Sequence, residues 1–241
     1  MQWPLPRSAG WAGPFRELGS HRCAPAALVT AGSPGSWAPP PGEAGPLVVE
    51  VARALLGWRL ISDVGLEDGD ASLDARIMET EAYGSAEIHG GPNDPASHAF
   101  RGPTSRNRSM FGPAGCLYVY RSYGIHWCAN VVVEPEGSAA AVLLRAAELS
   151  TGNPTVRRLM GQRRPKARCD TDWANGPGKL CAALAITGEH DGLDLFDPAS
   201  PLRLVPPEPG SQPRGGAPAA NVTPRIGISK AVDLPWRFTA A

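Results

Sequence analysis

The spacing of apolar residues changes along the chain, and each change marks an element. In LVVEVARALLGW, Val48, Val51, Leu55 and Leu56 recur at helical spacing, and Gly57 is placed to stop the helix. Residues 58–62 and 75–83 carry strand patterns. CLYVYRSYGIHWCANVVV reads as two strands with a turn near RSYGI, and AAAVLLRAAEL as a buried strand. Asn153-Pro154 can open a short helix through Met160. Residues 161–174 are expected to form a basic loop, and GPGKLCAALAI a helix with Pro177 in its first turn. Residues 202–205 and 225–229 read as late strands around a Pro/Gly-rich loop. No internal repeat is visible. The pattern predicts an α+β fold, a single domain over residues 46–241 with a curved, mostly antiparallel sheet flanked by helices. Residues 1–45 are too rich in Pro, Gly and Ala to offset ordering entropy and are expected to be a disordered extension.

Composition narrows the function classes. With 241 residues, 42% of them hydrophobic, the chain can build one sizeable core. Formal net charge is zero, so only a local basic patch could attract a nucleic acid. The five cysteines are scattered with no C-x-x-C, which argues against a disulfide framework or zinc site and for a reducing compartment. No apolar run reaches membrane-spanning length, and the N-terminus lacks a signal-peptide core. The expectation is an intracellular, cytoplasmic protein, nucleoid-associated in a bacterium, with no membrane contact.

Candidate chemistry begins at METEAYG. On a strand, Glu79, Glu81 and Tyr83 share one face. If that face is dry, desolvation and mutual repulsion suit one carboxylate to general-base work. The same residues also describe a solvated face with two ordinary surface acids. Tyr118 and Tyr120 share a strand face, and Tyr123 falls at the turn, where it either folds back on its hairpin or serves as a wedge between bases. The stretch from 101 to 125, with Arg101, Arg106, Arg108 and Arg121, contains no acid. Neither does the stretch 157–168, with Arg157, Arg158, Arg163, Arg164, Lys166 and Arg168. Such runs are either phosphate contacts or solvated loops. Asn175-Gly-Pro-Gly-Lys179 opens a helix, a place that suits phosphate. It is not a P-loop, since Trp173 and Leu180 stand where Gly and Ser/Thr are required. His89, Asp94 and His98 have no spacing that fixes a metal site. Neither a zinc-deaminase signature nor a nucleophile elbow is present.

The ordered set ARALLGWRLI, RIMETEAYG, SHAFRGPTSRNRSMF, GCLYVYRSYGIHWCANVV, AVLLRAAEL and NGPGKLCAALAI, with a weaker RIGIS, resembles the alkyladenine (3-methyladenine) DNA glycosylase family. The resemblance implies a monofunctional, cofactor-free and metal-free monomer acting on double-stranded DNA that contains damaged purines. It would excise alkylated or deaminated purines by water attack on the N-glycosidic bond, leaving an abasic site for base excision repair. It implies that Glu81 is the general base with Arg145 beside the water. Tyr83, His98, Tyr120 and Asn130 would form the base pocket, and Asn130 would crowd the 2-amino group of guanine. Tyr123 would intercalate, while Arg101, Arg106, Arg108 and Lys179 would hold the DNA backbone. Tyrosine faces would also favour positively charged alkylated purines by cation–π attraction. Glu79 is left either structural or tuning Glu81. A non-catalytic DNA-binding module and a hydrolase of free nucleosides are the rival readings. The first should lack Glu81, and the second needs neither the basic runs nor Tyr123.

Overall fold

The computed structural model describes residues 46–207 and 220–241. The expected extension at 1–45 and most of the Pro/Gly-rich loop lie outside the described residues. The fold is α+β, with three α-helices among the described residues against one antiparallel sheet. Helix α1 (Leu47–Ala54) buries Val48, Val51 and Ala52. Gly57, at φ 83°, ends the turn that follows it, using glycine's freedom in the left-handed region. Strands β1 (Arg59–Ser62), β2 (Leu73–Tyr83), β3 (Leu117–Ser122), β4 (His126–Val132) and β5 (Ala141–Leu149) follow. Next come α2 (Pro154–Arg163), α3 (Pro177–Ala183), β6 (Leu202–Val205), β7 (Ala220–Thr223) and β8 (Arg237–Ala240). The sheet runs β3-β4-β5-β2-β1-β6, and β8 joins β2 to β7. Strand β2 keeps β5 along one edge. Its other edge passes from β1, through Arg76, to β8, from Glu79.

That handover coincides with an irregularity that explains how acids can occupy this strand. Between β2 and β5 the register skips Met78 on one strand and Arg145 on the other. An extra residue reverses which side chains face which way. Before it, Leu73, Ala75 and Ile77 point into the main core. After it, Ala82 joins that core and Thr80 donates to the Ala52 carbonyl of α1 at 2.7 Å. Glu79, Glu81 and Tyr83 are thereby turned to the opposite face. Strand β5 does the same, with Val142 and Leu144 in the core on one side of the bulge and Ala147 and Leu149 on the other. A regular strand would have carried both glutamates into the hydrophobic interior.

Two local expectations are corrected. Residues 225–229 are not a strand: Pro224 has no amide hydrogen and Gly227 sits at φ 78°, so the segment is an irregular strap between β7 and β8. Helix α2 continues past Gly161 to Arg163, capped at its start by the Asn153 side chain on Thr155 N. Four arginines of the second basic run also have partners within the fold. Arg157 pairs with Asp170 and Arg158 with Asp70. Arg163 donates to the carbonyls of Val64, Gly65 and Ala183, and Arg164 to that of Trp173.

Candidate active site

The face of β2 turned outward by the bulge borders a cleft of about 590 Å³. Its wall includes Tyr83, His98, Tyr118, Tyr120, Asn130, Leu143 and Arg145, with Met110 on the floor. Tyr118 and Tyr120 stand 5.5 Å apart between ring centroids, and His98 meets Tyr120 edge-on at 4.5 Å. His98 Nδ1 and the Tyr118 hydroxyl share a hydrogen bond of 3.0 Å. Partial desolvation at the cleft wall, then the nearby Arg106 charge, lowers the His98 pKa below its ordinary value of 6.5 and favours the neutral ring, although the residue stays exposed. Asn130 is held by its amide on the Tyr118 carbonyl at 3.0 Å.

Glu81 is fully buried immediately behind this wall. Its three donors, Tyr83, Arg145 and Ile226, all line the cleft. Tyr83 Oη donates to Glu81 Oε2 at 2.9 Å, and Arg145 Nη1 donates to the same oxygen at 3.2 Å. The amide of Ile226 donates to Oε1 at 2.7 Å. Burial, then the Glu81 charge, pushes the Tyr83 phenol up, which keeps it a donor. Glu79 lies one bulge away. Its Oε1 accepts from Arg145 Nε at 2.7 Å and from Arg237 Nε at 2.6 Å. Arg145 therefore sits between the two carboxylates, and its charge offsets the repulsion expected from their spacing. Glu79 thus holds the arginine that also contacts Glu81.

The resemblance-derived residues divide between this cleft and its rim. Tyr123 is 89% exposed at the tip of the β3–β4 hairpin and reaches the cleft mouth. Tyr123 and Gly124 have φ of 49° and 69°, and Ile125 N donates to the Ser122 carbonyl, the geometry of a type I′ turn. Arg106 lines the cleft, and Arg101 and Arg108 are exposed on the same acid-free segment. Lys179 is exposed in the first turn of α3 with its Nζ on Asn175 Oδ1 at 2.6 Å, while Pro177 of that turn lines the cleft. Among the described residues no three His, Cys, Asp or Glu side chains gather as a metal site would require. Asp94 instead forms a buried ion pair with Arg225, at 2.6 and 2.8 Å. Sequence reasoning missed this pair, the Ile226 amide and Arg237. The RIGIS match was the one signal for the first two, and backbone amides leave no trace in side-chain identity.

Comparison with known proteins places the chain in a family. The family model described as methylpurine-DNA glycosylase matches residues 45–241. An Agrobacterium fabrum protein named "Putative 3-methyladenine DNA glycosylase" is 51% identical over 79% of this chain and 82% of its own length. Proteins of the same name from Nocardia farcinica and Nitrosospira multiformis are 48% and 44% identical, over 78% and 80% of the chain and 80% and 85% of theirs. The chain belongs to the methylpurine-DNA glycosylase family.

Proposed function

We propose that this DNA glycosylase turns alkylated or deaminated purines out of duplex DNA into the tyrosine-walled cleft and hydrolyses their N-glycosidic bond, leaving an abasic site. The observation that carries the reading is the Glu81 carboxylate, clasped by three donors that themselves form the wall of an aromatic cleft. Three donors meet a carboxylate with about four lone-pair positions, so Glu81 can still accept a proton from water. Tyr83, Tyr120 and His98 stack on or edge the extruded base, and Asn130 crowds a guanine 2-amino group. Base–aromatic stacking returns about 1–3 kcal/mol per base, comparable with the cost of extrusion. Tyr123 enters the duplex where the base has left. Arg101, Arg106, Arg108 and Lys179 hold phosphates.

The bond broken joins the sugar C1′ to the purine nitrogen. Water attacks C1′ as that bond loosens, its proton passes to Glu81, and the bonding electrons leave with the base. Arg145 fixes the Glu81 carboxylate towards the reacting centre. No cofactor or lysine adduct enters this scheme.

The deciding experiment compares wild type with Glu81→Gln on methylated duplex DNA and on a duplex with one hypoxanthine. Wild type should release free damaged base and leave an intact abasic strand. The variant should bind both duplexes yet release base at least about a hundredfold more slowly, the usual scale for a lost general base. Equal release by the two proteins would remove Glu81 from the reaction.

A further inference from the structure

The arginine behind Tyr83 bears on which damaged bases the cleft prefers. Arg225 is fully buried, and its guanidinium carbon lies 4.6 Å from the Tyr83 ring centroid and 5.2 Å from that of Trp236. Tyr83 lines the cleft and Arg225 does not, so the cation occupies the ring's side away from the cleft. Its counter-ion Asp94 and the Ala82 carbonyl hold it there. A buried guanidinium on one side of an aromatic ring draws on the negative potential that the opposite side would offer to a second cation. Asp94 neutralises the net charge, but the guanidinium is the member of the pair in contact with the Tyr83 ring.

The cleft wall reinforces this polarity. Its charged residues are Arg106, Arg121, Arg145 and Lys230, with no carboxylate among them. Glu81 stands behind the wall with its oxygens already engaged by donors. A positively charged alkylated purine would meet a pocket whose closest aromatic face has already given its cation–π attraction to the protein. A neutral damaged purine, such as hypoxanthine, stacks on the same face without that penalty. We propose that Arg225 is a specificity-determining residue: by polarising Tyr83 from behind, it tilts excision towards neutral damaged purines and away from cationic ones. Cationic bases are intrinsically good leaving groups and need less help, so the tilt directs the binding surface to lesions that depend on it more. This inference rests on the reading of the cleft as the base pocket.

The test is the ratio of single-turnover excision rates for hypoxanthine and for 7-methylguanine in otherwise identical duplexes. Taken within one preparation, the ratio does not depend on the fraction of active protein. Wild-type release of neither base would reject the glycosylase reading itself. Given release, replacing the pair together (Arg225→Met with Asp94→Leu) removes the cation without leaving a buried unpaired charge. The ratio should then move towards 7-methylguanine by about threefold to tenfold, the scale of a cation–π contact. Arg225→Lys, which keeps the charge, should leave the ratio nearer wild type. A double variant that slows both bases equally would show a purely structural role and overturn the proposal. If the double variant does not fold, Asp94→Asn decides, because an uncompensated Arg225 must shift the ratio the other way, and an unchanged ratio would overturn the proposal equally.

Discussion

At the scale of the residue, Tyr123 is the most informative side chain. An aromatic residue in left-handed backbone conformation costs about 1–2 kcal/mol, which glycine avoids. The fold bears that cost and leaves the ring 89% exposed, so folding stability does not explain its presence. Tyr123→Gly should therefore raise stability by up to about 1 kcal/mol while weakening capture of damaged DNA. Thermal melting and base release measured on one preparation check both halves, and a variant that melts lower would contradict the strain argument. His98 gives a pH prediction. Its folded pKa is depressed by partial desolvation at an exposed position and then by Arg106, so the fold favours the neutral ring. The stability it contributes is present above the ordinary pKa of 6.5 and is lost as pH falls through the lower folded value. Between pH 7 and more acid conditions, wild type should lose melting temperature faster than His98→Gln, and parallel curves would exclude this linkage.

At the scale of the element, strand β2 is two half-strands of opposite facing joined at Met78. The first half builds core with Leu73, Ala75 and Ile77, and the second builds the site with Glu79, Glu81 and Tyr83. The residue count at the bulge, rather than the Met78 side chain, makes the difference. Met78→Ala should fold and retain activity within a few-fold. Deleting Met78 restores plain alternation, in which Ile77, Thr80 and Ala82 still face the core and Glu79 and Glu81 the cleft, so the variant should fold cooperatively, visible in circular dichroism and melting. An unfolded deletion variant would show that the bulge itself is required for the ladder with β5. This strand also shows what the sequence could reveal. The identity and shared face of the three residues were legible from their spacing. Their facing relative to Ala75 and Ile77 was not, because five residues of one parity cannot announce a reversal among them. Helices α1 and α3 and the β3–β4 hairpin were legible for the ordinary reason that their apolar periods are regular and their stops are glycines or turns. The strap at 225–229 misled because alternating Ile226 and Ile228 imitate a strand, while Gly227 and the pull of Asp94 on Arg225 decide otherwise.

At the scale of the whole molecule, zero net charge conceals a division of labour among the basic residues. Arg106 at the cleft and Lys179 in the first turn of α3 have no carboxylate in salt-bridge contact among the described residues, whereas Arg163 ties α2 to the end of α3 and to the 64–65 turn. Arg106→Ala and Lys179→Ala should each make the salt dependence of duplex binding shallower by about one unit. Arg163→Ala should leave that slope unchanged and lower stability by about 1–3 kcal/mol. Titrations at several salt concentrations beside melting curves separate the two classes, and an altered slope for Arg163→Ala would reassign the second basic run to DNA. The long reach of the Glu81 contacts has a consequence for the birth of the enzyme. Its amide donor, Ile226, lies 145 residues further along the chain, and Arg237, which braces Glu79, follows later still. Chains emerge from the ribosome in order, and early segments begin to fold before late ones exist. Strands β1 to β5 can thus assemble on the ribosome while the carboxylate, already met by Tyr83 and Arg145, still lacks its third donor. A stalled or truncated copy would carry the exposed arginines of residues 101–108 beside a carboxylate with one donor missing, so the last contact to Glu81 forms only when the strap is in place.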